Sequence, residues 1–176
     1  MIQDTIKSLA STYFEEYRSI RHHLHANPEL SFKEFETSKF VQAQLTSIGI
    51  PFSILGETGV IGIIKGNPSN RVIALRADMD ALPIHEENKV SYASTKDGVM
   101  HACGHDVHTT CLLGAARILN ELKDQWDGTI KLIFQPGEEK NPGGASILIK
   151  DGVLKNPVPQ RIYGQHVHPQ LEVGRM

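Results

Sequence analysis

The sequence predicts an α/β fold, a mostly parallel sheet flanked by helices. Three observations carry that expectation. Segments with helical hydrophobic spacing alternate with short β-branched runs, the order expected of strands linked by crossover helices. Val72-Ile73-Ala74-Leu75 is apolar at every position, as a strand buried on both faces requires. The polar, chemically rich segments directly follow such strands, where open α/β sheets carry their sites.

Taken in order, residues 3–26 predict an amphipathic helix, with Ile6, Leu9, Tyr13, Tyr17, Ile20 and Leu24 at spacings of three and four. Asn27-Pro28 stops it, because proline disfavours helix in the residue before it. Ser31-Phe32-Lys33-Glu34 has the capping-box spacing and predicts a second helix over 32–48, ended by Gly49. Pro51–Leu55, Gly59–Lys65 and Arg71–Arg76 read as strands split by Gly, Pro and Asn. Residues 77–100 read as loop. Residues 106–123 return to a helical pattern with Leu112, Leu113, Ala116 and Leu119 as its apolar stripe, and Cys111 is expected on that core face. Thr129–Phe134 is a strand, Gly144–Lys150 a short helix and Arg161–Val167 a further strand.

Composition narrows the function classes. The chain has 176 residues, 40% hydrophobic and 22% charged, which suits one globular domain or a large part of one. A net charge of −2 gives no footprint for nucleic acid or an acidic membrane surface. No apolar run approaches the ~20 residues of a membrane span, and Met1-Ile2-Gln3-Asp4 does not open a secretory signal. Two cysteines, Cys103 and Cys111, form no disulfide framework and fit a reducing, cytoplasmic setting.

The chemistry concentrates in Met100-His101-Ala102-Cys103-Gly104-His105-Asp106-Val107-His108. In an extended stretch Cys103 and His105 aim the same way, and a thiolate with an imidazole suits a borderline-soft divalent ion. Glu138 and Glu139 follow a buried strand and a Pro-Gly turn; adjacent side chains diverge, so one carboxylate can hold an ion while the other serves as base. Asp78 and Asp80 are placed either to orient a ligating imidazole or to cap their loop. His166 and His168 share a face of the last predicted strand, as ligands or as surface histidines. The Arg21–His25 cluster lies at a helix end, where cations meet the negative dipole; the structural reading is preferred there, with His25 the one exception to watch.

Five ordered blocks together resemble one family. They are Ile20–Phe32, Leu75–Pro83, Met100–Asp106, Phe134–Glu139 and Tyr163–Pro169. The resemblance is to the M20 metallopeptidase and amidohydrolase group, in its N-acyl-amino-acid amidohydrolase branch, which includes hippurate and auxin-conjugate hydrolases. It implies a zinc-peptidase-like catalytic domain that hydrolyses N-acyl amino acids with one or two divalent ions, Zn2+ or Mn2+, with Co2+ or Ni2+ also used. By matching positions, Cys103, His105, Glu139 and His166 would ligate metal, Glu138 would be the general base, and Asp78 an acidic residue beside the ions. Arg76 stands where other branches carry a histidine, a replacement typical of this branch, where the cysteine joins the metal shell. Family members are longer: a lid domain, usually the dimerising element, and a second catalytic segment with a further histidine ligand follow the last block. The expectation is therefore that residues 1–176 are the N-terminal part of the catalytic domain, with a site short of one ligand and weak turnover. Two other functions compete: a non-catalytic remnant binding metal or a partner, and a cysteine hydrolase using Cys103 with His105, whose spacing suits nucleophile–base chemistry poorly.

Overall fold

The computed structural model describes residues 1–172 and Gly174. Its elements are α1 (Ile2–Thr12), α2 (Phe14–Ala26), α3 (Phe35–Ser47), β1 (Phe52–Leu55), β2 (Gly59–Lys65), β3 (Asn67–Asp78), α4 (His105–Glu121), a 3-10 turn (Lys123–Gln125), β4 (Asp127–Gln135), α5 (Gly144–Lys150) and β5 (Arg161–Gly164). The five strands form one sheet in the order β1-β2-β4-β3-β5. The α/β class with flanking helices stands. Strand direction, however, is evenly divided: β3 runs parallel to β4 and β5, while β2 is antiparallel to both β1 and β4. The short turn from Leu55 to Gly59 folds β1 and β2 into a hairpin, and a hairpin can only be antiparallel.

Alternation along the strands makes two cores. Val60, Ile64, Ala77, Ile130, Leu132 and Phe134 pack with Ile20, Leu24, Val41, Leu45, Leu112, Leu113 and Ala116 of α2, α3 and α4. The opposite face sets Ile61, Ala74 and Ile133 against Leu148 and Val153, at and just after α5. The connection from β3 to β4 thus crosses one face through α4, and that from β4 towards β5 crosses the other through α5. The carboxyl ends of β3, β4 and β5 lie at this switch, where the departing loops leave a crevice.

Several local expectations change. The helix over 3–26 is interrupted at Tyr13, whose hydroxyl donates to Glu121 at 2.7 Å and whose ring lies under the Arg117 guanidinium. The helix expected from residue 32 starts at Phe35, and the capping box does not form. Its first amides, of Glu36 and Thr37, instead donate to the Glu29 carboxylate at 3.2 and 2.8 Å, leaving Ser31 and Glu34 free for other partners. Gly49 does end α3, in the left-handed region at φ +70°. Cys111 is exposed, not core. Helical rotation carries it off the Leu112–Leu113–Ala116 stripe, and with Ala115 one turn on it faces a cleft beside Tyr163 of β5. The last strand ends at Gly164, so His166 and His168 lie beyond the alternation that put them on one face. Among the described residues no helix is long and apolar enough to cross a membrane.

Candidate metal centre

Three departing loops converge at the switch. Asp78 is the last residue of β3 and Gln135 the last of β4, paired in register, and Gly164 ends β5 beside Arg76. Gly104 sits left-handed at φ +83° before α4, and a Cβ there would strike Val167; its absence lets the segment after β5 close on the Cys-His loop.

His105 is 1% exposed and opens α4. Its Nδ1 faces Asp80 Oδ1 at 3.2 Å, so the ring donates there and turns Nε2 into the crevice. That Nε2 has no hydrogen-bond partner among the described residues, and it lies 3.7 Å from Glu139 Oε1 and 3.7 Å from Asp78 Oδ2. His166 repeats the arrangement. Its Nδ1 donates to the Val167 carbonyl at 2.7 Å and its Nε2 stands 3.5 Å from Cys103 Sγ. Ligand atoms of Cys103, His105 and His166 all lie within 4.8 Å of one another, as do those of His105, Glu138 and Glu139. Tetrahedral ligands around an ion held at ~2.0–2.3 Å are separated by about 3.5 Å, the spacing found here across the Cys103–His166 and His105–Glu139 pairs. The donor set fits a divalent ion: two imidazoles anchored through Nδ1, a thiol and a carboxylate.

The electrostatics are those of a site short of positive charge. Burial pushes the Cys103 thiol up to about 11, and the neighbouring Glu139 carboxylate adds to the effect. Burial disfavours a charged His105, yet Asp80, Asp78 and Glu139 outweigh it and raise the imidazole above its usual range. A bound cation would relieve both: it favours thiolate over thiol and takes the lone pair that crowds the carboxylates.

Asp78 is tied down on every side. Its Oδ1 accepts His108 Nδ1 at 2.7 Å, its Oδ2 accepts Arg76 Nη1 at 2.6 Å, and its carbonyl accepts the Thr109 hydroxyl. Burial opposes its ionisation, but the His108 hydrogen bond and the charges of His105 and Arg76 hold its carboxyl below the ordinary range. His108 in turn accepts the Val167 amide on Nε2 at 2.9 Å. Its second nitrogen is therefore committed, although His108 clusters with Asp78 and His105. His101 is buried, and burial pushes it down to about 4; neither ring nitrogen has a partner among the described residues. His168 is exposed and joins none of these clusters. His25 is built into the fold between Asp106 (2.8 Å) and Glu86 (3.0 Å).

Two residues read as a helix cap prove to belong beside the site. Ser31 donates to Asp80 Oδ2 at 2.6 Å, and Glu34 reaches the turn before Glu138. Their partners lie 49 and 103 residues away, so no pattern local in sequence separates this use from a cap.

Comparison with known proteins identifies the family and the fold. The sequence pattern of Peptidase family M20/M25/M40 matches residues 74–176. The N-acyl-L-amino acid amidohydrolase of Geobacillus stearothermophilus is 44% identical over all of this chain, and the match covers 47% of that protein. The IAA-amino acid hydrolase ILR1-like 4 of Arabidopsis thaliana is 44% identical over 93% of the chain and 37% of its own length. The crystal structure of the Bacillus subtilis YXEP protein, a dinuclear metal-binding peptidase, superimposes with a TM-score of 0.88 at 42% identity, covering 93% of this chain and 46% of that one. The chain spans under half the length of the relatives it matches.

Proposed function

The chain belongs to peptidase family M20/M25/M40, and from that premise we propose that it carries the catalytic half-site of a metal-dependent amidohydrolase acting on N-acyl amino acids. Cys103, His105, Glu139 and His166 would hold a divalent ion, Zn2+ or Mn2+ first, with room for one or two. When bound, the ion supplies Lewis acidity to the scissile carbonyl and acidifies a water. Glu138, whose carboxylate lies within 4.8 Å of His105 and Glu139, takes the proton of the attacking water and returns it to the leaving nitrogen. The amide C–N bond breaks, giving a carboxylic acid and a free amino acid. Asp78, fixed by Arg76 and His108, keeps negative charge beside His105 Nε2 and so favours a cation there. The substrate is a small N-acylated amino acid in a cytoplasmic setting; neither nucleic acid nor membrane is involved. Residues 1–176 serve as the N-terminal part of the catalytic domain in this reading.

One observation carries the proposal: the buried Nε2 of His105, without a hydrogen-bond partner among the described residues, stands beside Glu139 and the Cys103–His166 pair. The test loads metal-stripped protein with Zn2+ or Mn2+ and measures amino-acid release from N-acetyl and N-benzoyl amino acids. Metal-dependent release that falls about 10²–10⁴-fold in Glu138→Gln is the expected result. Stoichiometric metal uptake without any release would favour the non-catalytic, metal-binding reading. Release that persists after exhaustive chelation would return the cysteine-hydrolase reading.

A further inference from the structure

Glu34 is fully buried, at 0% exposure, yet among the described residues no ion pair neutralises its carboxylate. Burial raises its carboxyl above the ordinary range, so something must repay its placement. As the residue preceding α3 its side chain makes no hydrogen bond to the helix amides, of which those of Glu36 and Thr37 are satisfied by Glu29. Its Oε1 instead accepts the Gly137 amide at 2.7 Å and the Phe32 amide at 2.9 Å, and its Oε2 accepts the Thr58 hydroxyl at 3.0 Å.

Gly137 is the hinge between β4 and Glu138-Glu139. It is left-handed at φ +53°, and a Cβ on it would collide with the Phe32 ring. Its carbonyl accepts the Gly144 amide at 2.8 Å, and two residues on the Glu139 amide donates to Asp80 Oδ2 at 3.0 Å. Buried carboxylates therefore grip the turn at alternate amides, Gly137 by Glu34 and Glu139 by Asp80. The Leu30–Ala81 bridge and the Ser31–Asp80 bond tie the segment bearing Glu34 to the loop bearing Asp80.

We infer that Glu34 is a positioning residue of the hydrolytic site: by holding the Gly137 amide it sets the direction in which Glu138 and Glu139 leave β4. The inference rests on the reading that Glu139 holds the ion and Glu138 moves the proton. It acts through reach and acceptor geometry rather than charge, and this separates it from a general stabilising role.

The experiment is Co2+ titration of the metal-stripped 176-residue protein and its variants, by chelator competition and visible absorption, alongside thermal unfolding of each metal-free protein. Glu34→Gln keeps a carbonyl oxygen for both amides, and Thr58 can rotate to accept from its NH2; Co2+ affinity stays within about threefold of wild type. Glu34→Asp keeps the charge but withdraws it by one methylene, and Glu34→Leu has no acceptor. Both bind Co2+ at least about tenfold more weakly, with altered ligand-field bands. Glu34→Asp keeps the test decisive if Glu34→Leu fails to fold. Affinities and spectra unchanged in all variants, with only the unfolding midpoint lowered, overturn the inference. So does a Glu34→Gln protein as weak as Glu34→Asp. Wild-type protein that takes up no Co2+ overturns both this inference and the metal reading it rests on, whereas wild-type uptake with unaffected variants overturns this inference alone.

Discussion

Replacing Asp80 by asparagine should weaken metal binding through a proton, not through lost packing. Asp80 is 1% exposed and accepts from His105 Nδ1 at 3.2 Å, the Ser31 hydroxyl at 2.6 Å and the Glu139 amide at 3.0 Å, with the Glu138 amide also adding to its stabilisation. Asparagine offers one oxygen and an NH2. If the oxygen serves Ser31 and Glu139, the NH2 confronts His105 Nδ1, which must then accept, and the imidazole proton moves to Nε2. That is the atom aimed at Glu139 and the Cys103–His166 pair, and with a proton on it no lone pair remains for a cation. The opposite orientation sets the NH2 against the Ser31 and Glu139 donors. Loss of a carboxylate behind a ligating imidazole costs about tenfold to a hundredfold in metal affinity, about 1.4–2.7 kcal/mol. Chelator-competition titrations with Co2+ and Zn2+ measure it directly. A stability signature accompanies the binding defect. Burial pushes the Asp80 carboxyl up, but His105, Ser31 and the backbone amides outweigh it and hold the group down at about 2, below the ordinary 3.8. A depressed carboxyl stabilises the fold above its unfolded value and loses that contribution as pH falls towards the folded value. Metal-free wild type should thus lead Asp80→Asn by up to about 2 kcal/mol near neutrality, the gap closing between about pH 4 and 2. An Asp80→Asn protein that binds Co2+ within about twofold of wild type would refute the tautomer argument.

The remaining predictions concern the thiol and the far face of the sheet. With its pKa pushed up to about 11, first by burial and then by Glu139, Cys103 is a thiol at neutral pH and must ionise to ligate. Metal uptake at pH 7 should therefore release about one proton from the thiol, beside what the raised His105 imidazole gives up, and affinity should rise as pH rises. Calorimetry in two buffers of different ionisation enthalpy reads the release, and Cys103→Ala should lower it by about one proton; equal heats in both buffers would contradict this. On the α5 side, Lys131 is 2% exposed and its ammonium donates to the carbonyls of Val153, Lys155 and Pro157 at 2.7, 2.9 and 2.8 Å. Lys131→Met should cost about 3 kcal/mol in urea unfolding by leaving those carbonyls without a donor, while Co2+ affinity holds. A loss under about 0.5 kcal/mol would show that the carbonyls find other partners.

What the sequence determined by itself was local. The spacing of apolar residues marked α2, α3 and α4, the β-branched runs marked β2, β3 and β4, and Asn27-Pro28 and Gly49 marked helix ends, because each signal lies within a few residues of what it specifies. Cys103 and His105 do converge, but through left-handed Gly104 turning the chain into α4 rather than through the alternation expected of an extended stretch. The family followed from five blocks in order, and the match over residues 74–176 agrees with it. Tertiary structure decided what depends on distant pairing. The antiparallel β1–β2 hairpin split the strand directions, and the rotation of α4 moved Cys111 off the core stripe. Ser31 and Glu34 carry the spacing of a helix cap whether or not they form one. Only the parallel registration of β3 on β4 brings Asp80 and Gly137 close enough to claim those side chains, since hydrogen bonds act over about 3 Å while the partners stand 49 and 103 residues away.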